Sequence, residues 1–307
     1  MIIGVIGATS NIASKAYLPV YASLQAQERF VLYSRDWERA EKVRKQYKFE
    51  YATTDLAALE TVDLVIIHAA TSEHFELAKR YLSVGVHVLM DKPVSENLAE
   101  VQTLYRLAEE KNVLFVIGFN RRFAPLTQKL KAVEQKNFVK ITKNLAHHAG
   151  NPLFLLYDIF SHPLDTLIYL LDDEILQIDY SVQKDKTGNL TRALVMLETA
   201  TTTGIACMNL EAGAFSETFE VEAPSGTYRL SELTELEILN GLDRQKIGIN
   251  GWQSATYNRG FDDLVKNMIA AVEQFDSQNR IILLQKLKQN NILKTHEIIA
   301  EMLSEKK

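Results

Sequence analysis

Three places in this chain put chemically able side chains where ordinary packing does not require them. In "VLMDKPVSEN" (88–97) an apolar run delivers an acid, a lysine and a proline in succession, and a helical pattern follows. An amine beside a carboxylate can hold or move a proton at a chosen atom; the plain alternative is that Asp91 and Lys92 are solvated loop residues and Pro93 a stop signal. In "GATSNIA" (7–13) a glycine turn carries Thr9, Ser10 and Asn11 into another helical pattern, whose free amides could hold a phosphate. In "LYSRDWERA" (32–40) Ser34 and Arg35 stand at the end of an apolar run, where a hydroxyl and a guanidinium together suit a phosphate group. Ser34 or Asp36 can also cap the helix that follows.

Such residues need a scaffold that presents the ends of strands. Apolar runs recur at "IIGVI" (2–6), "FVLY" (30–33), "DLVII" (63–67), "VHVLM" (86–90) and "VLFVI" (113–117). Helical spacing fills the gaps, most clearly in "NLAEVQTLYRLAEEK" (97–111), where Leu98, Val101, Tyr105 and Ala108 share a face and Asn97 with Glu100 marks a capped start. Near-continuous apolar strands alternating with amphipathic helices predict a parallel sheet covered on both faces, an α/β doubly wound Rossmann domain. After "GFNRRFAP" (118–125) the pattern changes to a helix over 125–135, a strand over 138–146 and a helix over 162–171. Short strands with turn residues between them then occupy 174–247, predicting a large, mainly antiparallel sheet, before helices near 259–274 and 281–304. The expected division is 1–119 for nucleotide binding and 120–307 for an α+β domain that binds substrate and mediates self-association.

The composition limits the function classes. A chain of 307 residues, 47% hydrophobic and 24% charged, is long for one core and suits two globular domains. Its 34 basic and 39 acidic residues are dispersed, without the basic stripe that a nucleic acid requires, so no nucleic-acid partner is expected. Cys207 is the single cysteine, which excludes an internal disulfide and a thiolate-rich metal site. His147 and His148, read as neighbours on a strand, point to opposite faces and are poorly placed to share an ion, so no metal is expected. With no apolar run of membrane-spanning length and no basic leader, an untargeted cytoplasmic protein without membrane contact is expected.

A dinucleotide fingerprint reads G-x-G-x-x-G, and here only Gly7 is kept: Thr9 takes the second place and Ile12 the third. At the second strand end, Ser34 and Arg35 replace the acid that binds an NAD ribose diol. That exchange favours NADP as cofactor, with NAD the alternative.

Taken together, "GVIGATSNIA", "SRDWERAEKV", "AATSEHFELAKRYLSVGVHVLMDKPVSEN", "GFNRRFAP" and "DIFSHPLDTLIYLL" resemble successive landmarks of the glucose–fructose oxidoreductase, inositol dehydrogenase and MocA (Gfo/Idh/MocA) family. "GFNRRFAPL" with the later "GWQSATYNRGF" is similar to its virulence factor MviM branch. The resemblance implies a Rossmann domain followed by a domain with an open antiparallel sheet. It also implies that Asp91, one methylene shorter than the family's glutamate, reaches toward the cofactor, while Lys92 enters the active site and Pro93 fixes the turn. The family's aspartate and histidine, four residues apart, correspond to Asp158 and His162; Pro163 departs from the pattern and would move the helix start to His162. Thr71, His74, Asn120 and Arg121 are implied cofactor or cleft neighbours.

In the chemistry so implied, His162 takes a proton from a carbinol as hydride leaves, Lys92 stabilises the alkoxide, and Asp158 orients the histidine or holds a substrate hydroxyl. The expected function is an NAD(P)-dependent oxidoreductase, NADP favoured, acting on a sugar, polyol or related compound. A cofactor-retaining glycoside-processing enzyme and a non-catalytic nucleotide-binding or sensing protein are the alternatives. A sheet with one bare face further predicts a homodimer or homotetramer.

Overall fold

The computed structural model describes residues 1–304. The leading apolar runs become β1 (Ile2–Ile6), β2 (Arg29–Tyr33), β4 (Leu64–Ile67), β5 (His87–Met90) and β6 (Phe115–Ile117), joined at the edge by β3 (Tyr51–Thr53). Their order is β3-β2-β1-β4-β5-β6, and every neighbouring pair is parallel. All four residues of β4 are buried, as a strand covered on both faces requires. Between the strands run α1 (Leu18–Leu24), α2 (Trp37–Tyr47), α3 (Thr71–Ser83) and α4 (Leu98–Glu110). Asn97 caps α4 by accepting from the Ala99 amide (3.0 Å), and Val101, Leu104 and Ala108 form its buried face. The strand order reverses between β1 and β4, where sheets of this kind open a crevice at their carboxyl ends.

The next part of the chain holds α5 (Pro125–Lys131), β7 (Phe138–Asn144), α6 (Pro152–Leu155) and α7 (Ser161–Leu170). Seven strands follow: β8 (Gln177–Lys184), β9 (Leu190–Glu198), β10 (Thr203–Asn209), β11 (Ser216–Ala223), β12 (Gly226–Ser231), β13 (Glu235–Asn240) and β14 (Asp243–Gly248). They form an eight-stranded sheet in the order β14-β13-β12-β11-β7-β10-β9-β8, antiparallel except for the β7–β10 pair. Leu164, Leu167 and Ile168 of α7 share one core with Val139, Ile141, Ala206 and Val221 of the sheet. Gly204 on β10 permits that approach, since a Cβ there would fall 2.8 Å from Leu167 Cδ1. His147 and His148 lie beyond the end of β7 and are exposed, with His147 in the left-handed region (φ 52°), so they are not strand neighbours.

The helix does not begin at His162. Backbone is helical from Pro152 through Leu170, passing through a π turn at Leu156–Phe160 in which the Ser161 amide donates to Leu156 O, five residues back. Pro163 has no N–H to donate, and in a regular α-helix its ring presses on the Ile159 carbonyl; a wider turn just upstream accommodates it.

The chain ends with α8 (Ala255–Asn258), α9 (Phe261–Glu273), α10 (Arg280–Lys286) and α11 (Ile292–Leu303). The helix expected over 281–304 is therefore two, broken where Lys288 and Asn291 take positive φ (57° and 60°). The compact units are Met1–Gly118 with Phe261–Asn290, and Phe119–Gly260 with the chain from Asn291 on. A continuous block over 120–307 is thus interrupted, because α9 and α10 return to the first unit. There the Phe261 ring meets Tyr17 edge-on (5.0 Å between centroids), Arg280 Nε donates to Val113 O (2.8 Å), and Gln289 Oε1 accepts from the Ile117 amide (2.9 Å). Among the described residues no helix is long and apolar enough to cross a membrane.

Candidate active site

A cavity of about 280 Å³ opens in the first unit at the carboxyl ends of β1, β2 and β4. Gly7, Thr9 and Ser10 line it from the turn after β1, Ser34 and Arg35 from the end of β2, and His68 from the end of β4. Gly7 has φ 75°, and a Cβ on it would lie 2.6 Å from the carbonyl carbon and oxygen of His68, so only glycine lets this turn close on the neighbouring strand. The Ser10 amide donates to Gly7 O (2.8 Å), and Ser10 Oγ accepts from the Ala13 amide (3.2 Å), capping the helical turn that follows. Asp36, which also lines the cavity, accepts from the Arg39 amide (3.1 Å) and pairs with Arg39 Nε (3.2 Å) at the start of α2. Small hydroxyls, a glycine approach and a guanidinium suit the phosphates and ribose of a nicotinamide dinucleotide, and these residues fit one.

The other first-unit candidates lie outside that lining. Asn11 and Ile12 are exposed in the first helical turn, where the Asn11 carbonyl accepts from Ser14 Oγ (3.0 Å). Thr71 opens α3. His74 is buried, with Nδ1 2.7 Å from Pro93 O and Nε2 3.0 Å from Ala69 O. Burial holds its pKa below the usual range, although both carbonyls favour the protonated ring. Lys92 follows β5 and is half-buried, and the Lys92–Pro93 peptide is cis.

Asp91 lies within a hydrogen-bonded chain of four side chains. Its Oδ1 accepts from the Tyr17 hydroxyl (2.7 Å), its Oδ2 lies 2.6 Å from His68 Nδ1, and His68 Nε2 lies 2.7 Å from the Tyr21 hydroxyl. With its proton on Nδ1, His68 donates to Asp91 and accepts from Tyr21, so every polar atom of this chain is matched. Burial opposes ionisation of Asp91, but His68 and Tyr17 outweigh it and hold the carboxyl below its ordinary range. Burial also pushes both tyrosines far above theirs, which keeps them donors. Asp91 stands one side chain behind the cavity, in contact with His68 on its wall.

Within the second unit, Arg121 lies in the short 3₁₀ turn Asn120–Phe123 and is buried. Its Nε and Nη2 grip both carboxylate oxygens of Glu217 on β11 (Nη2 to Oε2 2.9 Å), while Nη1 is 2.7 Å from His162 Nδ1. Lys143 on β7 adds a contact to Glu217 Oε2 at 3.4 Å. Burial works to raise the Glu217 pKa, yet Arg121 and Lys143 bring it down to about 2. Burial, and then the charge of Arg121, lowers that of Lys143. Asn120 Nδ2 donates to Arg259 O (2.7 Å), and Asp158 sits in the π turn. Arg122 is fully buried and clamps both oxygens of Asp165 (2.9 and 2.8 Å).

The structure therefore gathers Gly7, Thr9, Ser10, Ser34 and Arg35 around one cavity and joins Arg121 to His162 elsewhere. Sequence reasoning missed His68 and Glu217, although each left a signal. His68 follows directly on the buried run "LVII", at the strand end where parallel sheets hold ligands. Glu217 shares its alternation with Phe219 and Val221, which marks an inward-facing acid.

Residues 1–119 match the model described as an oxidoreductase family with an NAD-binding Rossmann fold. The putative oxidoreductase YceM of Salmonella typhimurium is 26% identical over 274 residues, 88% of this chain and 89% of that protein. The myo-inositol 2-dehydrogenase of Thermotoga maritima is 30% identical over 174 residues, covering 50% of this chain and 51% of the relative. A Gfo/Idh/MocA family oxidoreductase from Vibrio cholerae superposes with a TM-score of 0.86 at 25% identity, over 99% of this chain and all of that one. Residues 1–119 thus carry the NAD-binding Rossmann fold of this oxidoreductase family, and the chain as a whole, with its six-stranded parallel sheet and mostly antiparallel eight-stranded sheet, is similar to a Gfo/Idh/MocA family oxidoreductase.

Proposed function

We propose that this protein is an NADP-linked oxidoreductase that moves hydride between nicotinamide and a sugar, polyol or related hydroxy or carbonyl compound. One observation carries the cofactor preference: Ser34 and Arg35 line the cavity after β2, while the nearest acid, Asp36, serves as the cap of α2. A guanidinium and a hydroxyl at this place favour a phosphorylated ribose, as a carboxylate favours a diol. The similarity to a myo-inositol 2-dehydrogenase supports a polyol-like substrate.

When bound, the cofactor supplies or accepts the hydride. The chain's own part is to hold the substrate oxygen and move one proton. Lys92 and His162 are the groups for that work, and Asp158 holds a substrate hydroxyl or orients His162.

Titration with NADPH and NADH, followed by fluorescence on wild type and Arg35→Ala, tests the reading. NADPH should bind more tightly, and Arg35→Ala should weaken NADPH roughly 10- to 100-fold, the value of one charge-assisted bond to phosphate, with little effect on NADH. Absence of binding by either nucleotide would overturn the proposal in favour of a non-catalytic protein. Sugar release from a glycoside without net cofactor change would reassign the reaction to glycoside processing.

A further inference from the structure

We infer that Lys143 and Arg259 form an anion-binding subsite in the second unit, and that the compound on which this protein acts carries a carboxylate or phosphate group held there. The subsite stands on its own geometry, while its part in holding substrate rests on the oxidoreductase reading above.

Val139, Ile141 and Lys143 share the inward face of β7; the first two are core residues, and Lys143, last of the row, is half-buried. Strand register sets it opposite Glu217 on β11. Its Nζ lies 3.4 Å from Glu217 Oε2, long for an N–H···O bond, since Arg121 already grips both oxygens of that carboxylate. An ammonium carries several donors, and among the described residues Glu217 is the single polar partner of the Lys143 side chain. Packing does not call for a lysine here: Glu217 has its counter-charge in Arg121, and an apolar side chain would continue the row without the cost of desolvating an ammonium.

Arg259 is brought to the same place by its backbone. Asn120 Nδ2 holds Arg259 O (2.7 Å), and Gly260, with φ 83°, packs so closely on the turn Asn120–Phe123 that a Cβ there would fall 2.3 Å from Asn120 O. Arg259 is exposed, and among the described residues its guanidinium meets no acid. Its charge nevertheless reaches Lys143. Burial lowers the Lys143 pKa, and Arg121 and then Arg259 push the same way against the support of Glu217. Three cations therefore share one carboxylate. Glu232 comes near the same strand but gives its Oε1 to the Glu217 amide (2.7 Å).

A small anion completes this excess of positive charge by accepting from Lys143 and Arg259. Arg121 Nη1 also lies 2.7 Å from His162 Nδ1, so the anion would sit in the neighbourhood of a residue proposed above to serve the substrate oxygen. A sugar acid or a sugar phosphate carries both an anionic group and hydroxyls a few bonds away, which a neutral polyol does not.

Calorimetric titration of the full chain at low salt, without nucleotide, tests the subsite with inorganic phosphate, with glucuronate, and with glucose as the neutral control. At least one anion should bind where glucose does not. Lys143→Met should weaken it on the order of 10-fold or more, Lys143→Arg should retain it, and Arg259→Met should weaken it roughly 3- to 10-fold, since water and salt screen the exposed charge more. Tighter phosphate points to a sugar phosphate, and tighter glucuronate to a sugar acid. Arg121 keeps its grip on Glu217 in Lys143→Met, and Arg259→Met changes an exposed side chain, so the second variant decides should the first fold poorly. Absence of binding by both anions, or binding unchanged in Lys143→Met and Arg259→Met, overturns the inference. Phosphate binding lost in Arg35→Ala but kept in Lys143→Met belongs to the nucleotide cavity and overturns it as well. With cofactor present, a kcat/KM higher for neutral polyols than for their acidic counterparts, and unmoved by Lys143→Met, overturns the assignment to substrate. Failure to bind NADPH would instead remove the oxidoreductase reading while the anion subsite stands.

Discussion

His68 and His162, one in each unit, carry their ring protons on opposite nitrogens. His68 faces a carboxylate, so its Nδ1 holds the proton for Asp91 and its Nε2 takes one from Tyr21. His162 faces a guanidinium, so its Nδ1 must be bare. The same side chain is thus given two different chemistries by the charge of one neighbour. The surroundings differ in kind as well. The Asp91 chain is completed by hydroxyls and an imidazole, whereas the Glu217 cluster is built from one buried and one half-buried cation around one anion.

That contrast can be broken at its anions first. Glu217→Ala leaves buried Arg121 and half-buried Lys143 without a counter-charge and should cost roughly 3–5 kcal/mol. Asp91→Ala removes an acceptor from donors that are not fixed cations and should cost about 1–3 kcal/mol. Urea unfolding of both variants gives the comparison, and equal losses would erase the distinction.

The pH dependence sharpens it next. Glu217 falls from an ordinary 4.5 to about 2 in the folded chain. Below pH 4.5 the unfolded chain takes a proton that the folded chain refuses, so stability drops as pH falls from 4.5 to 2. The cost of Glu217→Gln, of order 3 kcal/mol near neutrality, should shrink across that window and nearly vanish at its acidic end. His87 and His296, lowered to about 4 by burial, add a separate loss that begins as pH falls below about 6.5. Subtracting the variant's unfolding curve from that of wild type isolates Glu217 from both.

The smallest effect expected is at Tyr21. Tyr21→Phe removes the hydroxyl that meets His68 Nε2 and should cost about 1 kcal/mol. In long-range ¹⁵N–¹H correlation spectra of the ¹⁵N-histidine-labelled protein it should loosen the preference of His68 for Nδ1–H and leave the His162 signals alone. A change at His162 instead would mean that the two histidines are not set independently.

Sequence alone revealed the parts of the molecule that repeat a local rule. Long apolar runs such as "LVII" announced the central strands, and Ser34 and Arg35 could be placed because they directly follow one. β3 escaped because three half-buried residues, Tyr51–Thr53, make no apolar run. The break after α10 escaped because amphipathic spacing continues across it, while the interruption is made by backbone at Lys288 and Asn291. Site pairings were invisible for a different reason: Arg121 and Glu217 are 96 positions apart and His68 and Asp91 are 23, so only the sheet registers bring them together. Ring tautomers depend wholly on those partners and could not be written down before the pairs were known.

The return of Phe261–Asn290 to the first unit bears on how the protein can be made. β6 is an edge strand, and the Ile117 amide finds its partner in Gln289, a residue synthesised 172 positions later. A nascent chain halted at 118 would present that unpaired edge, with Tyr17 deprived of Phe261, to any other strand nearby. The nucleotide-binding half is therefore finished late, only once Phe261–Asn290 has been synthesised. A useful excision for separate expression would join 1–118 to 261–290 through a linker, in place of a cut at the apparent boundary.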